Sequence, residues 1–294
     1  MTPILLPSEI RLKYDIEADW HLLNTCGYRC DYCFFSAETL GEKLKAYARP
    51  PEWEKAFERA GLTWLLHLTG GEPTLYPGFV ELCETLTANH YISFNSNLNH
   101  DAVLEFAERI DPSRVSFINA GLHPHERLRR KGTGTFLKHA ATLIERKFPI
   151  FISVVCTPEV LRDVGATIAL TAPIGVLPVP KLLRGLYRGK SYPEGYSAAE
   201  RAAFSDFAER ARESDLRTFP NERPSVDIFF DDSHVAGTPL FVGRSCEAGR
   251  TFVRIEPDGK VYRCQPKQTN DLGNVLDGTF RPRARASACD SDYC

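Results

Sequence analysis

Cys26-Gly27-Tyr28-Arg29-Cys30-Asp31-Tyr32-Cys33 and, about forty residues later, Thr69-Gly70-Gly71-Glu72-Pro73 are the two stretches from which the rest of the chain can be read. Three thiolates spaced CxxxCxxC on one loop can hold three corners of an iron–sulfur cube, whereas clusters of this kind normally take four Cys ligands. The fourth iron is then open to a small chelating ligand, to which a low-potential cluster can pass one electron. A glycine-rich turn ending in a carboxylate offers such a ligand backbone amides and an acceptor. Short-spaced Cys pairs also serve structural zinc. Zinc, however, wants a fourth Cys or His nearby and gives no reason for the Gly-Gly-Glu turn.

Outward from these motifs, apolar strand-like runs alternate with amphipathic helical ones from about residue 15 to 180, which predicts βα units and a parallel sheet. Strands are expected at 18–23, 64–69, 91–97, 115–120, 150–156 and 176–180. Helices are expected at 51–60, 79–88, 102–110, 136–146 and 158–167, the first opened by Pro51 and Glu52. Six strands with right-handed crossovers curl into an open barrel, in which chemistry sits on the loops at the strands' C-terminal ends. Both motifs fall at such ends, so the fold brings them to one mouth.

The pair of motifs resembles the radical S-adenosylmethionine (radical SAM) enzymes, where the spacing is CxxxCxΦC with an aromatic Φ, here Tyr32, and the second motif reads GGEP. The resemblance implies an α/β fold, a partial (β/α)6 barrel like an opened TIM barrel. It also implies that Cys26, Cys30 and Cys33 ligate a 4Fe–4S cluster whose open iron binds S-adenosylmethionine. Tyr32 would lie along the adenine, and Gly70, Gly71 and Glu72 would receive the cofactor's amino group. Asn97 stands where related enzymes have Thr-Asn-Gly, with Leu98 replacing the glycine, and Ser153 is a candidate for the ribose hydroxyls; each could equally satisfy a strand end.

Four further thiols, Cys246, Cys264, Cys289 and Cys294, crowd the last fifty residues. With the run 253–264, which reads as a hairpin turning at Asp258-Gly259, they look like the twitch domain, a shortened SPASM extension that carries an auxiliary 4Fe–4S cluster. Cys246 and Cys264 fit that pattern; Cys289 and Cys294 depart from its tighter terminal pair. The expected organisation is a barrel at 1–215, a linker with short strands at 216–245 and an auxiliary cluster domain with a small hairpin at 246–294.

Two cysteines remain. Cys83 sits in a helical run where a small apolar residue simply packs. Cys156 ends the fifth strand and is a candidate hydrogen-atom donor, although alternation places Ser153 and Cys156 on opposite faces. His123 follows the fourth strand and is a candidate base; loop histidines are also commonly just solvated. Residues 184–198, rich in Gly, Tyr and basic groups, form either a substrate lid or a surface loop.

Composition narrows the rest. A 294-residue chain has room for a sizeable core, and 43% hydrophobic with 25% charged residues is ordinary for a globular protein. A net charge of −2 recommends no nucleic acid partner. No apolar run reaches a membrane span and the first residues lack a signal peptide's pattern, so a cytoplasmic location is expected. The reading is a radical SAM dehydrogenase or epimerase acting on a carbohydrate-like small molecule, fed electrons by a reductant such as flavodoxin or ferredoxin. The rivals are modification of a ribosomally made peptide and, in another class, an iron–sulfur electron carrier or redox sensor.

Overall fold

The computed structural model describes residues 13–36, 38–44, 46–218, 228–229, 231–235, 241–264 and 271–290. Cys294, and half of the expected linker at 216–245, lie outside the described residues.

Six strands follow one another as neighbours in a parallel sheet: β1 Ile16–Leu23, β2 Trp64–Gly70, β3 Tyr91–Ser96, β4 Val115–Gly121, β5 Ile150–Cys156 and β6 Val179–Leu182. The crossovers carry α1 Pro50–Ala60, α2 Phe79–Thr87, α3 Ala102–Arg109, α4 Pro124–Arg130, α5 Thr133–Glu145, α6 Pro158–Arg162 and α7 Val164–Thr171. The sheet curls as a partial barrel and is not closed.

Alternation along β1 shows how the sequence builds the two sides. Ile16, Ala18, Trp20 and Leu22 are buried toward the helices, where Trp20 meets Trp53 of α1 with ring centroids 4.4 Å apart. Burying side chains of this size stabilises by roughly 2–3 kcal/mol each. Glu17, Asp19 and His21 take the other face, so the barrel interior is polar. α1 begins at Pro50, ends at Gly61 with φ 67°, and presents Trp53, Ala56 and Phe57 to that core.

Two elements differ from their sequence expectation. The helix expected at 158–167 is two helices, because Asp163 accepts a hydrogen bond from Ala166 N at 2.9 Å and caps a new start. The sixth strand starts at Val179 rather than 176, after Pro178, which has no amide hydrogen to give a ladder.

Beyond β6 the chain makes a small antiparallel hairpin, β7 Gly185–Tyr187 and β8 Lys190–Tyr192, then α8 Ala198–Thr218 and the short helix α9 Asp231–Val235. Of the described part of the expected linker, 216–218 and 231–235 are helical where short strands were expected, and Ser245 opens a short strand. Next come β9 Ser245–Cys246, β10 Phe252–Ile255, β11 Lys260–Tyr262, β12 Asp271–Asn274 and β13 Ser287–Ala288.

The hairpin expected at 253–264 is present as β10 and β11, with Gly259 at φ 83° in its turn. Its placement carries new information. β10 pairs in parallel with β1, from Glu17 opposite Phe252 to Trp20 opposite Ile255. One nine-stranded sheet therefore runs β12-β11-β10-β1-β2-β3-β4-β5-β6. Val253, Ile255, Val261, Val275 and Phe280 join the same hydrophobic core as the barrel, so these described residues of the C-terminal segment pack with the barrel. Among the described residues no helix is long and apolar enough to cross a membrane.

Candidate functional site

The loop that leaves β1 is folded tightly by its own backbone. Cys33 N donates to Cys30 O at 3.0 Å, and the Arg29 guanidinium donates back to the carbonyls of Cys26 and Tyr28 at 2.6 and 2.8 Å. The three thiols are half-buried. Burial pushes Cys26 up to about 11 and Cys30 up to about 12. Thiols so placed stay protonated until a metal takes the thiolate, which couples loading to proton release.

The Gly70-Gly71-Glu72 turn is stitched to this loop: Gly71 N donates to Leu23 O at 2.7 Å and Glu72 N to Thr25 O at 2.8 Å. The approach is so close that a Cβ on Gly71 would lie 2.3 Å from Thr25 O. The Glu72 carboxylate is buried and hydrogen-bonded: one oxygen accepts from the Thr74 and Ser96 hydroxyls, each at 2.7 Å, and the other accepts from Asn97 N at 2.8 Å and can still take a further donor. It therefore ties the end of β2 to the end of β3.

A cavity of about 400 Å³ opens between these ends, within the usual size of small-ligand sites. Its wall includes Cys26, Cys30, Tyr32, Cys33, Gly70, Gly71, Glu72, Asn97, His123 and Ser153. The structure thus gathers at one mouth every site residue expected from the barrel sequence except Cys156. That thiol is fully buried and donates to Val154 O at 3.8 Å among core side chains. Strand alternation sends Ser153 and Val155 to the cavity and Cys156 to the helices, which removes the basis for its expected role as hydrogen donor. Cys83 is likewise buried in the core.

His123 reaches the mouth, but its setting does not suit a base. Its Nδ1 lies 2.9 Å from the Tyr32 hydroxyl and 3.7 Å from Cys30 Sγ. Burial, with Arg127 nearby, pushes the imidazole down to about 4, so it is neutral at pH 7 and weakly basic. The geometry makes it a prop for Tyr32.

Several wall residues escaped the sequence reading. Asn119 Oδ1, on β4, is buried against the cavity without a hydrogen-bond partner, an acceptor suited to an amine or hydroxyl of a bound cofactor. Below it, a second cavity of about 320 Å³ is lined by Glu17, Asp19, His67, Ser93 and Phe117, and Asn95 lines both. There the His67 ring lies 2.6 Å from Ser93 Oγ and 3.3 Å from Glu17 Oε2. Single polar residues inside apolar strands were the available signal. Segment 184–198 contributes Arg184 to the wall, and its hairpin is tied to the barrel by Arg188, 2.5 Å from Glu159 and 3.9 Å from Asp31 of the cysteine loop.

Cys246, Cys264 and Cys289 lie in one neighbourhood, although among the described residues no three His, Cys, Asp or Glu side chains are spaced to hold a metal ion. β9 and β13 pair so that Cys246 lies opposite Ser287, and Cys289 N donates to Arg244 O at 2.8 Å. Burial raises the Cys264 thiol, Arg263 lowers it, and Cys246, Asp290 and Cys289 nearby add smaller raising effects. At the centre is Arg263, buried, which donates to the carbonyls of Ala248 and Ala288 at 3.1 and 2.9 Å and lies 3.4 Å from Asp290.

A sequence profile of the Radical SAM superfamily matches residues 20–170. Over 278 residues the chain is 27% identical to the mycofactocin maturase MftC of Mycobacterium ulcerans, covering 89% of this chain and 72% of that one. Among solved structures, anSMEcpe with bound AdoMet and Kp18Cys peptide superposes with a TM-score of 0.62 at 15% identity, covering 91% of this chain and 80% of that one. Streptococcus suis SuiB bound to precursor peptide SuiA gives 0.57 at 15%, covering 92% and 65%. At such identities the structural likeness shows the shared fold.

Proposed function

The chain belongs to the radical SAM superfamily, whose members use a 4Fe–4S cluster and S-adenosylmethionine, and from that premise we propose that it modifies a peptide. The observation that carries the peptide reading is the maturase likeness, which spans 89% of the chain. Two fold neighbours are also described with peptides bound. The expected sugar or aminocyclitol substrate gives way to this rival, since no described feature of the site favours it.

In this reading Cys26, Cys30 and Cys33 hold the cluster, and Gly70 and Gly71 leave the turn's backbone open to the cofactor. Asn97, Asn119 and Ser153 supply polar contacts along the cavity, and Tyr32, propped by His123, flanks the adenine. Loaded and reduced by a flavodoxin- or ferredoxin-like donor, the pair supplies a 5′-deoxyadenosyl radical able to take hydrogen from an unactivated C–H bond. Glu72 fixes the mouth by joining the ends of β2 and β3, and its Oε2, with one acceptor position still open, receives the cofactor's amino group. The lower polar chamber receives the substrate side chain. Cys246, Cys264 and Cys289, with Cys294 outside the described residues, hold an auxiliary cluster in the unit 246–294, beyond the barrel unit 1–215 and the linker 216–245.

The test is anoxic reconstitution with iron and sulfide, reduction with dithionite, and measurement of 5′-deoxyadenosine and product mass against panels of precursor peptides and of sugars or aminocyclitols. Peptide-dependent mass change is expected. Turnover of the sugar panel alone would reverse the substrate assignment, and absence of any S-adenosylmethionine cleavage would leave only an electron carrier.

A further inference from the structure

α4 carries three arginines, and two of them, Arg129 and Arg130, turn outward onto the Glu126 carboxylate at 2.8 Å. Arg127 turns inward and is fully buried. Its Nε donates to the Leu122 carbonyl. One terminal nitrogen donates to the carbonyls of Asn97 and Gly121, the latter at 2.8 Å, and the other to the Tyr28 hydroxyl at 3.3 Å. The guanidinium lies 3.8 Å from the centre of the Phe136 ring. It thus joins the ends of β3 and β4 to the cysteine loop from below the cavity.

All of these acceptors are neutral. Carbonyl oxygens satisfy N–H groups but leave the charge itself uncompensated, and among the described residues no carboxylate is within ion-pair distance of Arg127. A cation buried in this way costs several kcal/mol unless something negative shares its enclosure. The negative group among its electrostatic neighbours is the Glu72 carboxylate, and Cys30 becomes a second one when a metal takes its thiolate. Glu72 is one peptide group away, because Asn97 gives its N–H to that carboxylate and its carbonyl to Arg127.

The geometry points to Arg127 as the fixed counter-charge of the N-terminal cluster, a positioning residue that raises the cluster's reduction potential without touching substrate. This rests on the reading that Cys26, Cys30 and Cys33 hold that cluster. Three thiolates give it a net negative charge that grows by one on reduction, and net charge is among the levers that set such potentials. A buried positive neighbour favours the reduced state.

The test is an EPR-monitored redox titration of the anoxically reconstituted full chain without S-adenosylmethionine, comparing wild type with Arg127→Lys and Arg127→Met. At the wild-type midpoint Arg127→Met is expected to show at least a tenfold lower reduced-to-oxidised ratio, a shift of 59 mV for one electron, and Arg127→Lys less than a threefold change. An unmoved midpoint in Arg127→Met, or equal shifts in both variants, overturns the counter-charge and leaves a structural rivet. If Arg127→Met and a second neutral variant, Arg127→Gln, assemble no cluster while Arg127→Lys does, the charge is required for assembly and the inference stands. Failure of all three overturns it. A wild-type protein that takes up no four-iron cluster refutes the proposed function instead.

Discussion

Adding one methyl group should have opposite consequences at two glycines, and the difference follows from the space around each. At Gly71 a Cβ would lie 2.3 Å from Thr25 O, 2.7 Å from Thr25 C and 2.8 Å from Asn24 C. All three are backbone atoms, so no side chain can swing aside and the turn itself must move by about 1 Å. That breaks the two bonds joining it to the cysteine loop, Gly71 N to Leu23 O and Glu72 N to Thr25 O. At about 1 kcal/mol for each hydrogen bond and about 1–3 kcal/mol for overpacking, Gly71→Ala should destabilise by about 3–5 kcal/mol and weaken S-adenosylmethionine binding. At Gly134, in the first turn of α5, nothing lies within 4 Å. There the same change should stabilise by about 0.5–1 kcal/mol, because alanine loses less freedom on folding. Urea unfolding of both variants, with cofactor affinity by equilibrium dialysis, provides the assay. Equal effects at the two sites, or a Gly71→Ala protein within about 1 kcal/mol of wild type, would refute the argument.

Other expectations follow from the same geometry. Arg129 and Arg130 hold the Glu126 carboxyl at about 2, below its ordinary 4.5, so the stability it contributes is present above pH 4.5 and is lost as pH falls toward 2. Allowing for the partly exposed arginines, Glu126→Gln should cost about 2 kcal/mol at pH 7, a difference that shrinks on acidification; one constant from pH 7 to 3 would contradict the assignment. Cys156→Ala should keep peptide-dependent S-adenosylmethionine cleavage and its product, with a stability cost of about 1 kcal/mol, and loss of product without loss of cleavage would return Cys156 to the chemistry. Cys264→Ser should lower the iron content of reconstituted protein by about half, whereas unchanged iron would remove that thiol from the auxiliary set.

The mouth was legible because its chemistry is local: Cys26, Cys30 and Cys33 are read from spacing, and the turn at Gly70-Gly71-Glu72 from its end-of-strand position. β5 matches its expected bounds, since 150–156 is a plain apolar run ended by Thr157-Pro158. What was not legible depends on distant partners. Nothing within Phe252–Ile255 says that it pairs with β1. Nothing in the sequence around Arg127, Arg129 and Arg130 says which of the three the fold buries. The break at Asp163 was hidden by a residue that favours helix starts but also occurs on helix surfaces.

The parallel pairing of β10 with β1 also has a consequence for biosynthesis. Glu17 and its partner Phe252 are about 235 residues apart, so at translation rates of roughly 5–20 residues per second the outer edge of the first strand leaves the ribosome on the order of 10–50 seconds before its mate. During that interval it offers unpaired amides and carbonyls to any passing strand. The final layout of the sheet is reached only after β10, β11 and β12 have emerged, so chaperone supply and growth temperature bear on the yield of native chain before any iron is delivered.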